Sequence, residues 1–195
     1  MTLASKITSI RLILAPVFFV IFLIGNSIID IVWTVPVLWI LYIGSEITDM
    51  LDGIVARKRG ETSNFGKLYD PFADTLTQLT YFFCFVIEGI LPPLLFLVVL
   101  YREFSVLFVR NQMLARGITM AARIGGKIKM VTYALAGAVA LAASSVMRLG
   151  LQDSDLYKGL SLAAVIVFMV SVIIAILSFV EYLSILIKTP KNTEK

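Results

Sequence analysis

The sequence predicts an all-α integral-membrane protein: a bundle of six transmembrane helices with its N- and C-termini in the cytoplasm. Three observations predict it. Of the 195 residues 59% are hydrophobic and only 15% are charged, well below the roughly 25% charged residues of an average soluble domain. Apolar stretches long enough to cross a bilayer recur along the whole chain, separated by Gly and Pro. Lys and Arg gather between alternate stretches, so that one side of a six-span arrangement is basic. At about 20 residues per crossing, this length holds six spans and leaves no sizeable soluble domain. A single membrane domain is therefore expected over residues 1–195.

The first span is expected over about 9–25, led by an amphipathic approach with Leu3, Ile7, Ile10 and Leu14 as its apolar positions. Lys6 and Arg11 ahead of an apolar run imitate a secretory signal, but no small-residue cleavage site follows, and a retained helix is expected. Gly25-Asn26 separates it from a second span over about 31–56. A third over about 68–91 ends at Pro92-Pro93, where a fourth begins and runs to about 115. Gly117 and Gly125-Gly126 precede the fifth, over about 128–148. Its Ala134, Ala136, Gly137, Ala138, Ala140, Ala142 and Ala143 let helices approach closely and are expected to serve packing within the bundle. Gly150 precedes the sixth, over about 159–187, and Pro190 follows it.

Orientation follows from the cations. Lys6 and Arg11, then Arg57, Lys58, Arg59 and Lys67, then Arg116, Arg123, Lys127 and Lys129, then Lys188, Lys191 and Lys195 all fall on one side. The other side has Arg148 and Lys158 beside Asp30, Glu88, Asp153 and Asp155. The basic side is cytoplasmic. The net charge of +4 therefore suits an anionic lipid surface and not nucleic acid. Cys84 is the only cysteine and there is no histidine, so a bound metal would have oxygen ligands, which favours Mg²⁺, Mn²⁺ or Ca²⁺ over zinc or copper.

Asp49, Asp52, Asp70 and Asp74 stand at the cytoplasmic ends of the second and third spans. Each ionised carboxylate at membrane depth costs several kcal/mol (about 3 on insertion scales) unless its charge is compensated. Asp49 and Asp52 share one helical face, as do Asp70 and Asp74. Two antiparallel helices can aim both faces at one cavity, where like charges would raise one another's pKa and take up protons unless divalent ions held them ionised. Two ions clamping a transferring phosphoryl group make the fullest use of four carboxylates. Gly53 and Ala56 leave a shelf along the helix for a nucleotide, and Arg57 closes it with a fork suited to phosphate. Gly66 marks entry to the third helix, with Ser63 or Asn64 as its cap. Pro71 must either stand in the first turn or open the backbone beside Asp70.

The arrangement Asp49-x-x-Asp52-Gly53-x-x-Ala56-Arg57, then eight residues, Gly66, three residues, Asp70, three residues and Asp74 resembles the signature of the CDP-alcohol phosphatidyltransferase family. The resemblance implies a six-helix bundle, usually dimeric, in the cell (inner) membrane, with its active site open to the cytoplasm and to lipid. It implies Asp49, Asp52 and Asp70 as metal ligands and Asp74 as ligand or general base, with two Mg²⁺ or Mn²⁺ ions. It implies that Asp49, Asp52, Gly53, Ala56, Arg57 and Gly66 surround the cytidine diphosphate. The reaction implied moves a phosphatidyl group from CDP-diacylglycerol to an alcohol and releases CMP.

Within the family the chain is most similar to the branch that uses sn-glycerol 3-phosphate and makes phosphatidylglycerol phosphate. The similarity rests on Lys6-Ile7-Thr8-x-x-Arg11 followed by Pro16, on Asn64-Phe65-Gly66-Lys67 and Asp70-Pro71-x-Ala73-Asp74, and on Arg102-Glu103 and Gly126-Lys127-Ile128-Lys129. It departs from that branch at Thr75, where a lysine is common, and at Met130, where a threonine is common. A phosphorylated acceptor needs cations, and Arg110, Arg123, Lys127 and Lys129 are the residues expected to hold its phosphate. Arg110 interrupts an apolar stretch and needs a partner such as Glu103 or a bound anion. Arg102 and Glu103 are expected nearer the far side, paired with other helices. Other acceptors, such as inositol phosphate, serine or another alcohol, share the same chemistry. An ion or proton transporter is the alternative of another class; against it, beyond Glu46 the second span continues toward the far side with only Tyr42, Trp39 and apolar residues.

Overall fold

The computed structural model describes residues 3–25, 31–59, 66–118 and 124–188, with side chains described outside 3–7, 31, 50–59 and 67–68. Six α-helices and one 3-10 turn make up these residues, with no strand among them. They are α1 (Leu3–Gly25), a 3-10 turn (Ile31–Trp33), α2 (Thr34–Arg59), α3 (Gly66–Ile87), α4 (Pro93–Ala115), α5 (Ile124–Arg148) and α6 (Asp155–Lys188). The expected amphipathic lead-in and first span are one continuous helix, and α3 ends at Ile87 instead of running on to 91. The reason is local: α3, α4 and α5 each end in the same left-handed cap, with Gly89 at φ 76°, Gly117 at φ 73° and Gly150 at φ 77°. In each the glycine N–H reaches back three residues and the next N–H five, as Gly117 to Leu114 (2.9 Å) and Ile118 to Met113 (3.0 Å) do. Pro93 then opens α4 at its first position, where no helical N–H is missed.

Three of the helices, α1 over Thr8–Gly25, α5 and α6, are long and apolar enough to cross a membrane. Charged side chains interrupt the other three, among them Glu46 and Asp49 in α2, Asp70 and Asp74 in α3, and Arg102, Glu103 and Arg110 in α4. Even so, large apolar side chains face outward on these helices too: Ile40 of α2 is 70% exposed and Phe108 of α4 is 61% exposed. Arg11, Arg102, Glu103 and Arg148 are meanwhile buried. This inverted polarity suits a chain solvated by hydrocarbon.

α1 packs on α2 and α3, α4 on α3 and α6, and α5 on α6, with α2 and α3 also reaching α5. A chain of aromatic rings joins the elements at the centre. Phe18 of α1 meets Tyr81 of α3 at 4.6 Å, Tyr81 meets Tyr42 of α2 at 5.1 Å, and Phe82 of α3 meets Phe168 of α6 at 4.8 Å and Tyr133 of α5 at 5.3 Å. Such edge and tilted contacts add about 1 kcal/mol each to the area they bury. The small residues of α5 serve packing as expected: Ala136, Ala140 and Ala143 are buried, and a Cβ on Gly137 would stand 2.5 Å from the Tyr42 hydroxyl. That hydroxyl donates to the Ala134 carbonyl at 2.6 Å.

The end of the bundle away from the aspartates is tied by Arg148. Its guanidinium donates to Glu88 (2.5 Å), the Phe22 carbonyl (3.2 Å) and Ser144 (3.1 Å), and lies over the Phe22 ring. Arg148 of α5 also donates to Thr34 of α2 (3.4 Å), so four segments meet on one cation, and both members of the ion pair are 1% exposed. Breaking a pair buried this deeply leaves a bare charge, which costs about 3–5 kcal/mol. Glu88→Ala should therefore lower the thermal midpoint of the detergent-solubilised protein sharply, while Glu88→Leu with Arg148→Met should recover much of the loss, both read by thermal unfolding.

Candidate active site

The N-terminal turns of α1 and α3 and the C-terminal half of α2 come together at the opposite end. α1 and α3 run parallel here, so residues three and four apart on the two helices face each other in register. Thr8 donates to Asp70 at 2.8 Å and Arg11 donates to Asp74 at 2.5 Å. Ser9 and the Tyr69 hydroxyl bond at 2.9 Å beside them. The same Arg11 Nη1 also donates to Asp49 of α2, so one nitrogen joins carboxylates from two helices. Arg11 is almost wholly enclosed, its side chain 3% exposed, whereas Asp49 and Asp74 retain 28% and 24%. Ser45, Glu46, Thr77 and Gln78 close a small cavity around this trio.

Of the four expected metal ligands, Asp49 and Asp74 are therefore brought together, and Asp70 lies one turn before Asp74, bonded to Thr8. The side chains of Asp52, Gly53, Ala56 and Arg57 lie outside the described residues, as do Ser63 and Asn64. Among the described residues no three metal-ligating side chains converge closely enough to hold an ion. The donor chemistry nonetheless fits a divalent cation: hard carboxylate oxygens from two helices already hold one positive group between them. Gly66 is the first residue of α3, as its place in the pattern suggests. Pro71 stands in the second turn, so the Lys67 carbonyl loses its usual donor just before Asp70.

Asp74 also borders a second, larger cavity of about 90 Å³ between α3, α4, α5 and α6. Its wall carries Arg102, Arg110, Lys127 and Lys129 against two carboxylates, Asp74 and Glu103, so it presents an excess of positive charge. Arg110, Lys127 and Lys129 were expected to gather around an acceptor, and all three line this cavity, while Arg123 lies outside the described residues. Lys127 is exposed. Arg110 takes the Tyr182 hydroxyl of α6 as its partner, at 3.1 Å, and packs over the Tyr182 ring instead of pairing with Glu103.

Glu103 is engaged elsewhere. It accepts from Lys129 through both oxygens (3.1 Å each), from Arg102 (2.7 Å) and from Tyr133 (3.2 Å). Arg102 goes on to the Ala175 carbonyl (2.9 Å) and Ser178 (3.2 Å) of α6. The expectation that Arg102 and Glu103 pair with other helices is met, but they do so on the wall of the Asp74 cavity and not toward the far side. Lys129 is thereby held by a carboxylate, 8% exposed. Thr75 and Met130, where the sequence departs from its expected pattern, both line this same cavity. On the outer surface an apolar groove of about 390 Å³ between α1 and α3, lined by Leu12, Pro16, Phe19, Leu76 and Phe83, begins beside Arg11 and Asp74.

Sequence reasoning passed over Thr8 and Arg11 as site residues, and over Tyr182 entirely. Thr8-x-x-Arg11 carried a signal, since a spacing of three puts both on one helical face and a cation one turn into an apolar run needs an anion. Tyr182, near the end of the long apolar sixth helix, carried none. Replacing Glu103 by Gln should leave Arg102 and Lys129 as buried cations without their carboxylate. The thermal midpoint should fall, by the equivalent of about 3 kcal/mol, with Lys129→Met in the Glu103→Gln background restoring part of it.

The family model described as CDP-alcohol phosphatidyltransferase matches residues 1–186. A protein of Treponema pallidum (strain Nichols) named CDP-diacylglycerol–glycerol-3-phosphate 3-phosphatidyltransferase is 33% identical over 192 residues, covering 94% of this chain and 88% of its own length. A Bacillus subtilis (strain 168) protein of the same name is 34% identical over 136 residues, covering 65% of this chain and 69% of its own. The match runs through the helices that bring Asp49 and Asp74 together and through those that enclose the cationic cavity, and on that extent the chain is a membrane enzyme belonging to the CDP-alcohol phosphatidyltransferase family.

Proposed function

We propose that this chain transfers the phosphatidyl group of CDP-diacylglycerol to sn-glycerol 3-phosphate, giving phosphatidylglycerol phosphate and CMP. The observation that carries the acceptor is that Asp74 lines the same cavity as Arg110 and Lys127, which no carboxylate claims in the described hydrogen bonds. A hydroxyl bearing its own phosphate is bound by such cations and presented to such a carboxylate; inositol phosphate shares that feature, and serine does not. The names carried by the Treponema and Bacillus relatives support the same choice.

In this reading Asp74 takes the proton from the acceptor hydroxyl as its oxygen bonds the phosphatidyl phosphorus, and the bond from that phosphorus to the CMP oxygen breaks. Arg110 and Lys127 hold the acceptor phosphate, with Arg123 joining from the segment before α5. Lys129, pinned by Glu103, adds positive field and keeps the wall rigid. Asp49, Asp52, Gly53, Ala56, Arg57 and Gly66 surround the cytidine diphosphate, and the apolar groove beside Arg11 offers a surface to an acyl chain. Asp49, Asp52, Asp70 and Asp74 are the residues that would hold two Mg²⁺ or Mn²⁺ ions, which would neutralise the pyrophosphate and the departing CMP.

The accompanying topology is six spans in one domain over 1–195, both termini cytoplasmic, in the cell (inner) membrane with the carboxylate end inward. Outward apolar faces on α2 and α4 support the extra crossings, and the basic residues of the sequence support the direction. The expected assembly is a homodimer, with the surrounding lipids as its solvent.

Purified protein given CDP-diacylglycerol and a panel of acceptors should release CMP fastest with sn-glycerol 3-phosphate, and none after EDTA treatment until Mg²⁺ or Mn²⁺ is restored. Preference for serine or for unphosphorylated alcohols would overturn the acceptor. Asp74→Asn should reduce turnover by at least about 10³-fold with folding intact, and an unchanged rate would remove Asp74 from the proton-accepting role. Arg110→Ala should raise the KM for glycerol 3-phosphate by about 10–100-fold, with a far smaller effect on the KM for CDP-diacylglycerol.

A further inference from the structure

Arg11 holds a place that neither the chemistry of the reaction nor the acceptor cavity accounts for. Its side chain is 3% exposed, and one of its nitrogens donates both to Asp49 of α2 and to Asp74 of α3. The Oδ1 atoms it engages belong to two of the four carboxylates assigned above to divalent ions. Without a cation between them these oxygens would repel, and α2 and α3 would be driven apart at this end. Without the carboxylates, a guanidinium enclosed to this degree among apolar helices would be strongly unfavourable. Each therefore stabilises the other at this junction.

We propose that Arg11 is the resident counter-ion of the carboxylate site: it ties Asp49 to Asp74 in the metal-free protein, and metal loading works against that tie, so that Arg11 sets the metal affinity. The inference rests on the reading of Asp49 and Asp74 as metal ligands. The two cations compete for the same oxygens, and linkage makes the effect reciprocal: whatever the tie contributes to the metal-free fold is subtracted from metal binding. Arg11 is thus a positioning residue on α1, and Thr8, one turn earlier and bonded to Asp70 at 2.8 Å, keeps α1 in register with α3.

The test uses the full chain in detergent, stripped with EDTA and titrated with Mn²⁺, with free Mn²⁺ read by electron paramagnetic resonance and unfolding read separately by a thermal ramp. Arg11→Gln should lower the metal-free midpoint by several degrees and bind Mn²⁺ about tenfold more tightly than the wild type, as removal of one nearby positive charge requires. Arg11→Lys, which keeps the charge but not the fork, should fall between the two in both measurements and serves if Arg11→Gln does not fold without metal. A lowered midpoint with Mn²⁺ affinity equal to or weaker than that of the wild type would overturn the inference and leave Arg11 a structural tie alone. Failure of the wild type itself to bind Mn²⁺ would overturn the reading of the carboxylates, a result distinct from wild-type binding that Arg11→Gln does not change.

Discussion

Charge enclosed within a bundle whose outside is apolar must find a partner inside it, and the polar interior of this protein is organised by that requirement. Three buried clusters meet it: Arg11 with Asp49 and Asp74, Arg102 and Lys129 with Glu103, and Arg148 with Glu88. Each draws on more than one helix, so the pairings fix which helices are neighbours as well as neutralising charge. In hydrocarbon the hydrophobic effect gives no preference for one helix neighbour over another, and small-residue packing and polar contacts decide instead. Gly137 beneath Tyr42 and the Tyr42 bond to the Ala134 carbonyl are examples of both.

The clusters are not equivalent. Arg148 and Glu88 are sealed at 1% exposure and join four segments at the end remote from the aspartates, which suits a purely structural tie. The Glu103 cluster is buried but forms part of a cavity wall, so it stabilises the helices and at the same time shapes the field that Asp74 faces. The Arg11 cluster keeps its carboxylates partly exposed, which suits the ligand-holding role proposed for them. Along α1, Arg11 and Phe22 lie roughly 16 Å apart by the helical rise, so the bundle is pinned at one end and open to chemistry at the other.

In the proposed reading, two regions that adjoin at the carboxylate end divide the work of the enzyme. The donor is assigned to the α1, α2 and α3 corner, where carboxylates and an apolar groove adjoin. The cationic cavity belongs to α3, α4, α5 and α6. Asp74 borders both, four residues beyond Asp70 on the one helix common to the two regions. A proton acceptor placed there can serve an attacking hydroxyl from one side while the group under attack sits on the other.

Much of this was legible in the chain alone. Apolar length and the spacing of Gly and Pro located all six helices, and the fourth coincided with its expected bounds because Pro92-Pro93 and a glycine cap mark its ends. The carboxylate pattern identified the family because its residues are close in sequence, on two helices consecutive in the chain. Arg110, Lys127 and Lys129 were recognised as a group by charge, yet their different circumstances were not. Only packing gave Tyr182 to Arg110 and Glu103 to Lys129, and only packing drew Arg102 and Glu103 to the Asp74 cavity and placed Arg11 between two aspartates. The physical reason is range. Helix formation, membrane partition and the signature spacing depend on residues within a few turns of one another, whereas the partner of a buried charge is chosen among side chains tens of positions away, 26 for Lys129 and Glu103 and 76 for Arg102 and Ser178, by how the helices come to lie against each other.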